Sequence, residues 1–157
     1  MSNARIALVT GAGSGVGKAV ALGFLEDGFK VVLAGRRLEP LQEVAQLAKD
    51  KGQEALPVSV DVRDAVSVEN LFSEIEKQYG RLDVTFNNAG VNAPAVSIDE
   101  LPLEKWHNAI DTNVTGVFLC ARAAFGLMKR QNPQGCWRRF KTDHLCRSKT
   151  DQGLLLT

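Results

Sequence analysis

The sequence has little of what marks secreted, metal-binding or membrane proteins. Its three cysteines, Cys120, Cys136 and Cys146, form no C-x-x-C pair, which argues against a disulfide framework. His144 lies close to Cys146, but no paired ligand spacing accompanies them, so we predict no metal site. No run of 18 apolar residues occurs, and the first apolar run is too short for a signal peptide. We therefore expect a cytoplasmic protein.

An excess of charge of one sign is also absent. The chain carries 19 Lys and Arg against 18 Asp and Glu, a net charge of +1, so neither nucleic acid nor a membrane is expected as a partner. The balance is uneven along the chain: residues 1–134 have 14 basic and 16 acidic side chains, and residues 135–157 have 5 and 2. We expect a folded domain over 1–134 and an aberrant or disordered tail over 135–157.

What the sequence does contain is an alternation of short apolar runs and amphipathic stretches. It predicts strands at 4–10, 30–35, 54–62 and 81–90, and helices at 16–28, 38–52, 64–80 and 103–130. Such alternation is typical of the α/β class, with a parallel sheet and helices on both faces. The predicted fold is an incomplete Rossmann-type doubly wound sheet of four clear strands in the order 3-2-1-4. A ligand should bind at the carboxyl ends of the strands.

Two finer structural predictions follow from the residue pattern. In the first helix, Val16, Val20 and Phe24 are spaced by four residues, which predicts that they lie on one face. In the third strand, Pro57 cannot donate a ladder hydrogen bond, so this strand is expected at an edge of the sheet.

The segment that joins the first strand to the first helix reads TGAGSGVG, Thr10 to Gly17. The G-x-G-x-x-G pattern fails because Val16 stands where the third glycine is needed, and a P-loop fails because Ala19 replaces its Ser or Thr. Glycines at a helix N-terminus let a pyrophosphate approach backbone N–H groups. The alternative is a flexible turn without a ligand.

A different glycine pattern does fit this loop, and further motifs accompany it. Thr10 is followed by Gly11-x-x-x-Gly15-x-Gly17, Asp61-Val62 follows the third strand, NNAG occupies 87–90, and Asn113 lies in DTNVTGVF. In this order and at these separations, the motifs resemble those of the short-chain dehydrogenase/reductase family. The resemblance covers residues 4 to about 134.

The resemblance implies a dinucleotide site and assigns its residues. In the family, the equivalent of Asp61 accepts the adenine amino group; the alternative is a cap for the next helix, for which Asp64 is better placed. Asn88, Ala89 and Gly90 line the cofactor in similar proteins, with a plain turn as the alternative. The implied cofactor-binding residues are Gly11, Ser14, Gly15, Val16, Gly17, Arg36, Arg37, Asp61, Val62, Asn88, Ala89 and Gly90.

The end of the second strand reads LAGRR and bears on the choice of cofactor. Gly35 stands where relatives that prefer NAD usually carry an aspartate. Arg36 and Arg37 follow, and arginine at this point pairs with the 2′-phosphate of NADP. We predict NADP(H), with NAD(H) as the alternative. Both arginines would be merely solvated if no phosphate binds.

The family's catalytic residues are largely missing. Asn113 matches the asparagine that holds a water in the family's proton relay, and it is the one surviving member of that set; a local helix bond is its alternative role. The only tyrosine is Tyr79, no Tyr-x-x-x-Lys occurs, and Ser148 is the sole serine after Ser97. The chain is therefore expected to be inactive alone.

Three hypotheses remain open from the sequence. The first is a truncated family member that binds the cofactor. The second is a fragment of a working NADP-dependent alcohol dehydrogenase or carbonyl reductase, interrupted near Gly135 by a frameshift or splice, whose full-length form takes an alcohol or carbonyl substrate. The third is a partner that self-associates or pairs with a full-length relative through helix 103–130. Lacking a fifth strand, strand 4 is expected to be a sheet edge.

Overall fold

The computed structural model describes residues 4–131 and 154–156. Its centre is a sheet of parallel strands in the order β3-β2-β1-β4-β5. The strands are β1 (Ile6–Thr10), β2 (Lys30–Gly35), β3 (Ala55–Ser59), β4 (Val84–Asn87) and β5 (Leu154–Leu156). The predicted order of the first four strands is confirmed, and so is the place of Pro57 on an edge strand.

A short fifth strand corrects the expectation that β4 ends the sheet. Leu154, Leu155 and Leu156 pair in parallel with Val84, Thr85 and Phe86. A parallel neighbour satisfies backbone groups that an edge strand leaves unpaired, and here a strand of three residues provides it. The rest of the predicted tail, with Cys136, His144 and Cys146, lies outside the described residues.

Helices connect the strands and cover both faces of the sheet. They are α1 (Gly15–Glu26), α2 (Leu38–Asp50), α3 (Ala65–Tyr79), α4 (Leu103–Ile110) and α5 (Gly116–Gln131). The predicted long helix 103–130 is thus divided, because a π-helical turn, Asp111–Thr115, separates α4 from α5. No helix among the described residues is long and apolar enough to cross a bilayer.

The alternation of side chains along β1 builds two cores, one on each face of the sheet. Ile6 and Leu8 pack on the face covered by α3 and α5, and Ala7 and Val9 pack on the face covered by α1 and α2. All five residues of β1 are buried. Burial of one such leucine or valine side chain contributes about 1.5–3 kcal/mol, so the central strand anchors both layers.

The fully buried row of α1 lies one residue along from the predicted apolar row. Gly17, Ala21 and Leu25 are buried at a spacing of four. Of the predicted row, Val20 and Phe24 are partly buried against the core, and Val16 is 65% exposed. Position 17 faces the turn after β1 too closely for any side chain, which leaves Val16 on the outside.

The ends of α3 follow from local chemistry. Asp64 accepts hydrogen bonds from the backbone N–H groups of Val66 and Ser67 and caps the N-terminus of the helix. Gly80 ends it in the left-handed conformation at φ 68°. Asp64, rather than Asp61, is therefore the cap, which leaves Asp61 for another role.

A buried ion pair lies at the end of the sheet where the strands begin. The carboxylate of Asp83, only 5% exposed, accepts the backbone N–H of Ile6 at 2.7 Å. It also accepts two hydrogen bonds from Arg81, at 2.5 and 3.1 Å. The pair joins the beginning of β1 to the approach to β4, at the end of the sheet opposite the candidate site.

Candidate functional site

A cavity of about 410 Å³ lies at the carboxyl ends of the strands. This is the position at which open parallel sheets bind ligands. The segments that follow β1, β2, β3 and β4 all contribute to its wall, together with the π-helical turn. The lining residues are Gly11, Gly13, Ser14, Gly35, Arg36, Arg37, Pro40, Leu41, Val60, Asp61, Val62, Ala89, Gly90, Val91 and Thr112.

The floor of the cavity is a turn that only glycine allows. Gly11 and Gly15 have φ of 68° and 54°, in the left-handed region. A Cβ on Gly17 would overlap the carbonyl oxygen of Gly11 and lie 2.5 Å from the Asn88 side-chain nitrogen. Helix α1 therefore begins directly against the turn, and Ser14, the residue before the helix, lines the cavity.

The N-terminus of α1 is chemically suited to an anion. Ser14, the residue before the helix, makes no capping hydrogen bond with its side chain, and the first turn holds no acidic residue. The positive end of the helix dipole is thus neither capped by Ser14 nor offset by a carboxylate in that turn. A phosphate group would supply the missing acceptors.

Thr10 and Asn88 hold the turn after β1 to the segment after β4. The hydroxyl oxygen of Thr10 accepts the backbone N–H groups of Asn88 and Ala89, both at 3.0 Å. The side-chain amide of Asn88 donates to the carbonyl oxygens of Thr10 and Gly11, at 3.2 and 3.3 Å. Asn88 therefore supports the cavity from below rather than lining it.

Asn113 fixes the backbone on the far side of the cavity. Its side-chain amide donates to the carbonyl oxygen of Val91 at 2.8 Å and accepts the Val91 N–H at 2.9 Å. The π-helical turn Asp111–Thr115 presents the side chain at this point, and such turns are frequent at functional sites. In this arrangement both polar atoms of the Asn113 side chain are engaged by the backbone that follows Gly90.

Arg36 and Arg37 lie between the end of β2 and the beginning of α2. Both are exposed and line the cavity. The Ser59 hydroxyl donates to the backbone carbonyl of Arg36 at 3.2 Å, which fixes the backbone of this corner. The two guanidinium groups thus put positive charge at the end of the cavity nearest β3.

Asp61 follows β3, and its carboxylate is hydrogen-bonded to the guanidinium of Arg63. The guanidinium donates to both carboxylate oxygens, with Nη2 at 2.6 Å from Oδ2 and Nε at 2.9 Å from Oδ1. The hydrogen bonds from Arg63 lower the pKa of the Asp61 carboxyl, and burial opposes this shift only partly. Arg63 also donates to the side-chain oxygen of Asn108 on α4 at 2.8 Å.

Eight of the twelve residues expected to bind the cofactor come together around the cavity. They are Gly11, Ser14, Arg36, Arg37, Asp61, Val62, Ala89 and Gly90. Gly15, Val16, Gly17 and Asn88 do not line it. Gly17 and Asn88 lie directly beneath it, whereas Val16 faces outward.

Several lining residues were not predicted, and Thr112 is the most informative. It is 6% exposed, and its buried hydroxyl oxygen has no hydrogen-bond partner among the described residues. Its position next to Asn113 was the only available signal. Pro40, Leu41 and Val91 carry no polar side chain and could be found only from the strand ends that they follow.

The family model for short chain dehydrogenases matches residues 5–135. Among curated proteins, the chain is 38% identical to a 3beta-hydroxysteroid dehydrogenase of Mediterraneibacter gnavus, over 80% of this chain and 45% of that protein. It is 36% identical to a 3-oxoacyl-acyl-carrier-protein reductase of Staphylococcus aureus, over 83% of this chain and 53% of that one.

Solved structures agree with these matches. A short-chain type dehydrogenase/reductase from Mycobacterium marinum superposes with a TM-score of 0.79 at 38% identity, covering 83% of this chain and 51% of that one. An alcohol dehydrogenase from Thermococcus sibiricus, complexed with 5-hydroxy-NADP, gives 0.78 at 30%, covering 83% and 55%. The chain spans about half the length of the relatives it matches.

Proposed function

The chain belongs to the short-chain dehydrogenase/reductase family of oxidoreductases, which bind a nicotinamide dinucleotide, and on this basis we propose that its cavity holds NADP(H). The observation that carries the proposal is the convergence of three features on one cavity. These are the glycine turn below the uncapped N-terminus of α1, the two arginines after β2, and Asp61 after β3. They suit the pyrophosphate, the 2′-phosphate and the adenine, respectively.

The residues fit a dinucleotide on steric grounds as well. A Cβ on Gly90 would lie 3.2 Å from the side-chain oxygen of Asn113, so a larger residue here would crowd the Asn113 side chain. Positive charge from Arg36 and Arg37 faces a cavity that ends at a helix N-terminus. Val62, Ala89 and Gly90 add compact walls. When bound, the cofactor would supply hydride chemistry.

We propose that binding rather than turnover is what this chain performs alone. The family's reaction needs a tyrosine and a lysine four residues later, and the chain contains no Tyr-x-x-x-Lys. Asn113 is present, and its side chain is committed to Val91. Oxidation of an alcohol or reduction of a carbonyl is proposed only for a longer form that carries the missing pair.

Cofactor binding is tested by thermal unfolding. A ligand that binds only the folded state stabilises it by about 2.7 kcal/mol at a concentration one hundred times its dissociation constant. We expect NADPH to raise the melting temperature of the full chain, without consumption of NADPH when carbonyl compounds are added. An unchanged melting temperature at millimolar NADPH and NADH contradicts the proposal, and NADPH oxidation contradicts the inactive state.

The substitution Arg36→Asp tests the preference for NADP(H). The guanidinium is expected to make charge-assisted hydrogen bonds with the 2′-phosphate, and a carboxylate would repel it. We expect the NADPH dissociation constant to rise about tenfold or more, while NADH binds relatively better, as measured by ligand fluorescence titration. Arg122→Asp is the control, because Arg122 is exposed on α5 and does not line the cavity.

If Arg36→Asp leaves the ratio of the two dissociation constants unchanged, Arg36 does not reach the phosphate. Gly35→Asp gives an independent check in the same corner. A Cβ on Gly35 would meet Leu41 at 3.5 Å, an ordinary contact, so the carboxylate can be added without a clash. It should favour NADH.

A second candidate function is pairing through α5, and it has a specific observation in its favour. Val114 and Phe118 are 58% and 60% exposed, one helical turn apart on the same side. We propose that they contact a second copy or a full-length relative. Phe118→Glu should shift the chain toward the monomer in sedimentation experiments, with Lys129→Glu on the same helix as control. An unchanged oligomeric state would remove this candidate.

A further inference from the structure

The Asp61 carboxylate is held in one orientation by an unusually complete set of donors. Arg63 provides all of them: its backbone N–H donates to Oδ1 at 3.0 Å, its Nε lies between Oδ1 and Oδ2, and its Nη2 donates to Oδ2. Arg63 therefore binds the carboxylate with both its backbone N–H and its guanidinium. The Asp61 backbone N–H donates in turn to the hydroxyl of Ser67 at 3.1 Å, so the main chain is fixed too.

The four hydrogen bonds do not engage the carboxylate evenly. A carboxylate has about four lone-pair positions, and three N–H groups of Arg63 occupy them, because the Nε–H is shared between Oδ1 and Oδ2. The least engaged position is on Oδ2, where the shared Nε lies at 3.1 Å. Asp61 lines the cavity, so a donor that enters there can compete for this position.

The guanidinium that orients Asp61 is itself fixed from the other side. Its Nη1 donates to the side-chain oxygen of Asn108 at 2.8 Å. Asn108 lies on α4, which runs into the π-helical turn that carries Thr112 and Asn113. The hydrogen bonds from Asp61 through Arg63 to Asn108 thus connect the segments on two sides of the cavity. Asp61 and Asn108 are 47 residues apart in the chain.

Orientation matters here because the side chains are not buried. The side chain of Asp61 is 32% exposed and that of Arg63 is 37% exposed. A free carboxylate at such a position would sample several rotamers, and binding would have to restrict them. A carboxylate that is already fixed avoids this cost. The guanidinium also offsets the carboxylate charge, which would otherwise repel a phosphorylated ligand.

We infer that Arg63 is a positioning residue for the cofactor: it holds the Asp61 carboxylate in the orientation that accepts the adenine amino group and ties this contact to α4 through Asn108. The inference rests on the proposed function, since it requires a dinucleotide in the cavity. Arg63 itself does not line the cavity and acts through Asp61.

The test compares two ligands, NADPH and its analogue in which hypoxanthine replaces adenine. The analogue carries an oxygen in place of the amino group and cannot donate to Asp61 at that position. Hydrogen bonds to charged groups change affinity by about tenfold or more. The wild-type chain should prefer NADPH over the analogue by about this factor in fluorescence or calorimetric titration, and Asp61→Ala should abolish the preference.

Arg63→Gln is the decisive variant. It removes the fork and should reduce the preference for adenine to within about threefold, with the melting temperature of the unliganded chain little changed because the pair is exposed. Arg130→Gln is the matched control: Arg130 pairs with Glu76 at 3.0 Å on the surface, away from the cavity. It should keep the wild-type preference. Arg63→Lys keeps the charge without the fork and should not restore it.

Asn108→Ala provides a second route to the same answer if Arg63→Gln fails to fold. It leaves the ion pair intact, removes its anchor on α4, and should lower the preference to an intermediate value. A wild-type preference in Arg63→Gln or full recovery in Arg63→Lys overturns the inference, and so does equal binding of the two ligands by the wild-type chain. If the wild-type chain binds neither ligand, the proposed function fails and the inference falls with it.

Discussion

Replacing Gly17 with alanine should destabilise the chain by about 3 kcal/mol and abolish cofactor binding. The added Cβ would overlap the Gly11 carbonyl oxygen and lie 2.8 Å from its carbon. These are backbone atoms, which cannot rotate away as a side chain can, so the effect falls at the upper end of the cost of overpacking. Helix α1 would have to move off the turn, and its N-terminus would move relative to the cavity.

The measurement is urea unfolding with and without NADPH. Gly23→Ala in the same helix is the matched control, because a Cβ there would meet nothing within 4 Å. Alanine is the better helix former, so this variant should be more stable by about 0.5–1 kcal/mol. If Gly17→Ala were as stable as Gly23→Ala and bound NADPH normally, the close contact between α1 and the glycine turn would be wrong.

The substitution Asp83→Ala should cost about 3 kcal/mol in the free energy of unfolding. Its carboxylate is nearly inaccessible and serves both the Ile6 N–H and Arg81. Removing one member of a buried pair leaves the other polar groups without compensation, which is more costly than the pair's own net contribution. Because Arg81 is 28% exposed, water recovers part of the loss, and the expected value lies at the lower end of the range.

Glu76→Ala is the matched control for Asp83→Ala. Glu76 also pairs with an arginine, but its side chain is 51% exposed, so its loss should change stability by less than about 0.5 kcal/mol. Asp83→Asn retains an acceptor for Ile6 and should fall between the two. A loss below about 1 kcal/mol in Asp83→Ala would show that the edge of the sheet does not depend on this carboxylate. The sheet end that it closes is far from the cofactor cavity, so NADPH affinity should not change.

The fold was predictable to the extent that apolar period and glycine position determine it. The strand order 3-2-1-4 and the edge position of Pro57 followed from such local patterns. The exposure of Val16 did not follow from them, because the turn after β1 leaves room only for Gly17 at the beginning of α1. A short strand such as β5 is also beyond pattern analysis, since three leucines have no periodicity.

The candidate site, like the fold, was predictable only in part. Motifs indicated the glycine turn, Arg36, Asp61 and the segment after β4 because each motif lies at the end of a strand. Nothing in the local pattern indicated that Arg63 would grip Asp61, since the contact depends on side-chain conformation. The π-helical turn was equally hidden, because the pattern of DTNVTG is that of an ordinary helix and does not indicate the hydrogen bonds that Asn113 makes with Val91.

The parallel pairing of β1 with β4 has a consequence for how the chain is made. Ala7 pairs with Val84, 77 residues later, whereas β2 can pair with β1 much earlier. At a synthesis rate of about 5–20 residues per second, one side of β1 waits about 4–15 s on the ribosome for its partner. This edge of β1, apolar except for Thr10, is then open to pairing with other nascent chains. We therefore expect the nascent chain to be most prone to wrong pairing before β4 has been synthesised.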